Sequence, residues 1–275
     1  MINNQRTIKN QVSISGIGLH TGQDVNLKLA PVPVNTGVRF FLNTPKHRNI
    51  FQLTPRAIID TTQATTIGGD SASISTIEHL LSALHAYGID NVDITVVGEE
   101  IPILDGSALP FVHLIKAAGI KDYDEPKEII KFGREEHIRD GDKVISYKPA
   151  DDVVIDFTIY FSHPLIAKQS YVYKLDEQTF EDEIAPARTF GFLQDVEKAR
   201  AMGLIKGGSL DNSVVLDEEK VINPEGLRFE DAFVRHKILD FIGDIYAIGN
   251  IRGHFEVQRS GHGLNNLFLK EFSGL

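Results

Sequence analysis

Both halves of this 275-residue chain carry the same order of hydrophobic patterning. Period-two alternation comes first, in Asp24-Val25-Asn26-Leu27-Lys28-Leu29 and in Val153-Val154-Ile155-Asp156-Phe157-Thr158-Ile159. A helical period follows, over Ser75 to Tyr87 and Arg228 to Ile248. Another alternating run closes each half, at Val92-Asp93-Ile94-Thr95-Val96-Val97 and His254-Phe255-Glu256-Val257. A half-buried strand has one apolar face and an amphipathic helix one apolar stripe, and each needs the other for cover. The pattern therefore predicts an α+β fold of two similar units packed together. The charged, proline-bearing stretch Lys121 to Lys127 is the expected boundary, giving units 1–125 and 126–275.

Cysteine is absent, so no disulfide forms and any metal must be held by His, Asp or Glu. Such a donor set is that of a catalytic site with an open position. A net charge of -10 argues against a nucleic-acid partner, which needs a basic surface. No apolar run approaches the roughly 18 residues of a membrane span, and Met1 to Arg6 lacks the apolar core of a leader. The expectation is a cytoplasmic monomer without stable membrane insertion.

Two helices carry polar chemistry. In the first, Ser75-Thr76-Ile77-Glu78 fits a capping box, with Ser75 as N-cap. Ile77, Leu80, Leu81, Leu84 and Tyr87 form its apolar stripe, and Glu78, His79, Ser82 and Ala86 fall on the other side. In the second, Ile238, Leu239, Phe241, Ile242, Ile245 and Tyr246 form the stripe, opposite His236, Lys237, Asp240 and Asp244. His236 and Asp240 are spaced i, i+4, so one metal ion can reach both. Taken singly, each feature has a plainer reading: Glu78 as a cap, His79 as a solvated histidine, His236 and Asp240 as a surface pair. Taken together, His79, His236 and Asp240 supply three ligands, and Glu78 stands beside one of them, placed to deprotonate a water. The H-E-x-x-H helix of metalloproteases is absent. In Ser260-Gly261-His262-Gly263-Leu264-Asn265, the glycines permit a sharp turn or close approach to a ligand, and His262 is either a general acid or a turn histidine. Asp105-Gly106-Ser107 reads as a turn.

The ordered set of motifs resembles one family. Its members in this chain are Gly16-Ile17-Gly18-Leu19-His20-Thr21-Gly22, Thr76-Ile77-Glu78-His79, Ile101-Pro102-Ile103-Leu104-Asp105-Gly106-Ser107, Ala187-Arg188-Thr189-Phe190, Lys206-Gly207-Gly208-Ser209-Leu210, Asn223-Pro224-Glu225-Gly226-Leu227-Arg228, Arg235 to Asp244, and Gly261-His262-Gly263-Leu264-Asn265. Together they resemble the zinc-dependent UDP-3-O-acyl-N-acetylglucosamine deacetylases, which carry out the committed step of lipid A biosynthesis. The resemblance implies two β-α-α-β units with the active site between them. It implies one Zn2+ on His79, His236 and Asp240, with Glu78 as general base and His262 as general acid oriented by Asp244. It also implies Thr189 at the developing oxyanion and Lys237 touching substrate. A segment from Phe190 to Val215 would shape the passage for the acyl chain, with Phe190, Phe192, Val196, Ile205 and Val215 as lining. Lys237, Arg235, Arg188 and Lys206 are the cations expected near the substrate diphosphate. Ala232 departs from the family pattern, where an acidic residue is expected, and is placed off the ligand arc. No fused dehydratase is expected after Lys270.

Two rivals use the same residues differently. A glycosidase would pair Glu78 with Asp240 and need no metal. A binding module would keep the histidines as structural groups. Chelator sensitivity separates the deacetylase from the glycosidase, and the binding module predicts substoichiometric metal and tolerance of substitution at His79 and His236.

Overall fold

The computed structural model describes residues 4–69, 71–201, 203 and 205–272, without the side chains at 197, 200 and 201. Three of the six residues read for a leader, and Met202 and Leu204 of the acyl-chain segment, lie outside the described residues.

Two five-stranded sheets repeat one topology. The first runs in the order Val12–Ile17, Asp24–Pro31, Val92–Val97, Val38–Asn43, Arg48–Gln52. The second runs Glu136–Asp140, Lys143–Lys148, Gly253–Gln258, Val153–Tyr160, Lys168–Lys174. In each, two hairpins flank a last strand that is antiparallel to one hairpin and parallel to the other. Alternation fixes the register: Leu27 faces Val96 and Phe40 faces Ile94 in the first sheet, while Ile145 faces Val257 and Tyr147 faces Phe255 in the second. All eight are buried, so a one-residue slip would turn these side chains to the wrong face.

Two helices flank the last strand of each sheet. In the first half they are α1 (Glu78–Ala86) and α2 (Leu109–Ala118). The second half contributes α3 (Glu177–Thr179), α4 (Leu193–Ala201), α5 (Ala232–Ile245) and α6 (His262–Phe272). In that half α5 and α6 hold the places of α1 and α2, so the fold is α+β with two similar units, as the patterning predicts. The sequence pattern does not mark α2 and α6; Gly261-His262-Gly263 looks like a turn, yet His262 opens α6. Among the described residues no helix is long and apolar enough to cross a membrane.

The stretch 121–127 is not a simple connection. Ile120–Pro126 is a strand paired with Asn4–Ile8. The predicted helix over 228–248 is α5 followed by a 3-10 turn at Tyr246–Ile248. The capping box does not form. Thr76 adopts φ +59, α1 starts at Glu78, and Ser75 is held in a bridge to Glu100.

The central contact is α1 against α5. Both predicted apolar stripes are buried, but so is every residue of α1. The polar arcs that looked like solvated faces meet across the interface between the two units. Gly243 makes this possible, since a Cβ there would overlap the Glu78 carbonyl. His85 Nδ1 donates to Ile242 O at 3.0 Å, and its ring stacks on Tyr246 at 4.6 Å.

Burial pushes His85 down to about 4. The unfolded chain accepts a proton near pH 6.5 that the folded protein refuses. Stability from this group is therefore whole above pH 6.5 and lost as pH falls toward 4. Between pH 7 and 5 the loss amounts to about 2 kcal/mol. Urea unfolding of wild type and of His85→Gln, whose amide can keep the bond to Ile242, should show a pH 7-to-5 loss smaller by about that amount in the variant. Equal losses would contradict the assignment.

Candidate active site

α1 and α5 bring His79, His236 and Asp240 together at the interface, with one candidate ligand atom from each lying within 4.8 Å of the others. Both His79 Nε2 and His236 Nε2 face Asp240 Oδ1, at 3.5 and 3.4 Å. The two rings meet edge to face at 5.1 Å. His236 Nδ1 donates to Ala187 O at 3.1 Å, which fixes the tautomer and leaves Nε2 with its lone pair toward the cluster.

The residues fit a metal ion. Asp240 Oδ1 is buried and takes no hydrogen bond, although an unpartnered buried carboxylate oxygen is costly. Its other oxygen accepts Lys237 Nζ at 2.8 Å. Burial opposes ionisation of Asp240, but the imidazoles and the Lys237 ammonium outweigh it and hold the carboxyl well below its usual range. Burial drives His236 down to about 3, so it is neutral at pH 7 and the Lys237 charge is the part of that attraction that persists. A neutral imidazole beside an ionised carboxylate is the protonation state a metal requires.

Glu78 and His262 flank the cluster, 3.9 Å apart from Oε1 to Nε2. Burial raises Glu78 above the usual carboxylate range. Its Oε2 accepts the backbone N–H of Thr65 at 3.0 Å. Burial would lower His262, but its hydrogen bond and charge pairing with Asp244 win and push it up to about 10. That bond runs from His262 Nδ1 to Asp244 Oδ2 at 2.8 Å. Asn265 Nδ2 donates to the same oxygen at 2.8 Å, and Thr65 Oγ1 to Asp244 Oδ1 at 2.5 Å.

Other expected residues fall in three groups. Thr189 is half-buried, tied through its backbone to Gly106 O at 2.7 Å and through its carbonyl to Val214 N at 2.8 Å. It stands two residues from the carbonyl that orients His236. Asp105-Gly106-Ser107 does more than turn the chain: Gly106, at φ +87, closes onto Asn212 O, and Asp105 O receives Arg188 Nε.

Of the apolar residues, Phe190 and Phe192 pair with Val214 and Leu216 on either side of Val215. The Phe190 ring lies 4.9 Å from Phe233 and 6.3 Å from His236. Val196 on α4 approaches Gly191. Ile205, at φ +51, stands apart against Gly208 in a loop whose backbone bonds the Leu19 and His20 carbonyls.

The cations divide differently from expectation. Arg188 is buried and engaged with Asp105 O, Glu225 and Leu210 O. Arg235 pairs with Asp231 and stacks on Tyr171 and Phe229. Both are committed to structure, which leaves Lys237 at the cluster and exposed Lys206 near Gly22. Ala232 is buried one helical turn before His236, on the ligand side of α5 rather than off the arc.

Fold and site together define an α+β scaffold with a buried cluster of two histidines and one carboxylate, a donor set that suits a metal ion, between paired units. Residues 5–273 match the family model LpxC: UDP-3-O-acyl N-acetylglycosamine deacetylase. The chain is 48% identical over 264 residues to the UDP-3-O-acyl-N-acetylglucosamine deacetylase of a Nitratiruptor species, covering 96% of this chain and 88% of that one. It is 46% identical over 267 residues to an enzyme of the same name from Helicobacter pylori, covering 97% and 90%. For that of Syntrophus aciditrophicus the identity is 45% over 267 residues, covering 97% and 85%. The chain belongs to the family of UDP-3-O-acyl-N-acetylglucosamine deacetylases.

His79→Ala, His236→Ala and Asp240→Ala should each lose bound metal when the purified protein is analysed by emission spectroscopy. Full occupancy in all three would sink the ligand assignment.

Proposed function

We propose that the protein hydrolyses the acetamide of a UDP-3-O-acyl-N-acetylglucosamine, releasing acetate and a free 2-amino sugar for lipid A biosynthesis. The observation that carries this reading is the unpartnered Asp240 Oδ1 facing two imidazole nitrogens, with a buried glutamate and a charged histidine alongside. A zinc ion held by His79, His236 and Asp240 would supply Lewis acidity to the water and to the scissile carbonyl.

The chain's own groups divide the proton work. Glu78 accepts a proton from the attacking water, and its raised affinity suits that task. The water oxygen bonds the acetyl carbon. Thr189 and Lys237 donate to the oxygen that gains charge. His262, held as imidazolium by Asp244, gives its proton to the amide nitrogen as the C–N bond breaks. Acetate and amine result.

Phe190, Phe192, Val196 and Val215 form the acyl wall in this proposal, with Ile205 across from it. Each buried CH₂ contributes about 0.8 kcal/mol, enough for a chain to offset the repulsion between a diphosphate and an acidic protein. Lys206 is the cation kept for the diphosphate. Division at 125/126 is part of the same proposal, supported by each large sheet drawing all its strands from one side. So are a cytoplasmic location and a monomeric state, which cell fractionation and sedimentation address.

Acetate release from UDP-3-O-acyl-N-acetylglucosamine tests the reading, with chelator abolishing it and zinc restoring it. The pH profile of kcat/KM should be bell-shaped. Glu78 must be ionised, so activity falls as pH drops through its value. His262 must be protonated, so activity falls as pH rises through a value above the ordinary imidazole range near 6.5. Glu78→Ala should flatten the acid limb and His262→Ala the basic limb, each with kcat reduced on the order of 10²-fold or more and metal retained. A His262→Ala enzyme with near-normal kcat and an intact basic limb would move the acid role to Lys237.

A further inference from the structure

Thr65 is a buried residue just ahead of the short strand Thr66–Gly69, far in sequence from both active-site helices of the second half. Three of its atoms reach the site. Its backbone N–H donates to Glu78 Oε2 at 3.0 Å. Its carbonyl accepts Ile77 N at 3.2 Å, one residue before Glu78, and so holds the entry to α1. Its hydroxyl donates to Asp244 Oδ1 at 2.5 Å. An ionised carboxylate only accepts, so the hydroxyl proton is committed to Asp244. The Thr65 lone pairs then face His262 Nδ1 at 3.3 Å, whose proton is already given to Asp244 Oδ2.

We propose that Thr65 is a positioning residue for both proton-transfer groups, its amide setting the Glu78 carboxylate and its hydroxyl setting Asp244 and, through it, the His262 ring. The inference rests on the acid and base roles given to His262 and Glu78 above. It adds a mechanical link across the interface: the base belongs to α1, the Asp–His pair to α5 and α6, and one residue touches both sets. The orientation of Asp244 depends on this hydroxyl. Oδ2 is shared by His262 and Asn265, and Oδ1 takes Thr65 alone among the described hydrogen bonds. Without it the carboxylate is anchored at Oδ2 only and can pivot there, and the imidazole follows. A misplacement of about 1 Å at a reacting group costs on the order of 10²-fold in rate.

The test compares Thr65→Val, which keeps shape and removes the hydroxyl, with Thr65→Ser, which keeps the hydroxyl. Thr65→Cys, close in size and a weaker donor, replaces the valine variant if that one does not fold. Steady-state acetate release, metal content and the double variants with His262→Ala are measured. Thr65→Val should lower kcat on the order of 10²-fold, with KM within about twofold and metal retained, and Thr65→Ser should recover most of the loss. In the His262→Ala background the valine change should cost about threefold or less, because its effect passes through His262. Wild-type kcat in Thr65→Val, a loss that serine does not recover, or full additivity with His262→Ala would overturn the proposal. A near-normal His262→Ala single variant would instead remove the acid role itself, so the two failures are distinct.

Discussion

The close approach of α1 and α5 at Gly243 is the constraint on which the site depends. Two helices whose polar arcs face each other would ordinarily hold apart, since buried polar groups are costly unless paired. Here a missing Cβ lets the α5 backbone close onto the Glu78 carbonyl. At that separation His79 reaches His236 and Asp240, and His85 reaches the carbonyl of Ile242. The proposed ligand set is thus a property of the interface between units; neither helix supplies all three of its residues alone.

Electrostatics explain why the interface holds so many ionisable groups. Glu78, Asp240, Lys237, His236 and His262 share one buried region, and each is shifted by burial or by a neighbour. Asp244 joins them as the hydrogen-bond partner of His262. Lys237 and His262 supply positive charge, and Asp240 and Asp244 negative. Burial alone would lower both cations, and the carboxylates reverse that. Burial dominates at Glu78, and its carboxyl is the one raised. Separate environments push these groups in opposite directions, the arrangement that the proposed base and acid roles require.

Periodicity made the two sheets and the helices α1 and α5 legible in the sequence, because burial on one face leaves a period of two or 3.6. It left a solvated face open as the plainer reading of each polar arc taken singly, since a helix buried between two units has no exposed side for the pattern to mark. α6 was hidden because His262 and Gly263 open it with turn-like residues. His79, His236, Asp240, Glu78 and His262 came from spacing and from the family motifs, and the fold brings all five together. Thr65 and the Ala187 carbonyl gave no signal: one is a threonine in the loop just ahead of a short strand, the other a backbone atom. Asn265 was within a quoted motif, but its contact with Asp244 needs α6 to be a helix. Arg188 and Arg235 were expected near the diphosphate because a sequence shows charge and not the carbonyls and carboxylates that absorb it.

The most direct measurement is zinc affinity and thermal stability of Gly243→Ala. Alanine is the better helix former by about 1 kcal/mol, so helix propensity alone predicts a more stable protein. The interface account predicts the opposite sign: a lower melting temperature and zinc binding weakened on the order of tenfold or more, as α5 is pushed off α1 and the ligands part. Equal or greater stability with unchanged zinc affinity would contradict it.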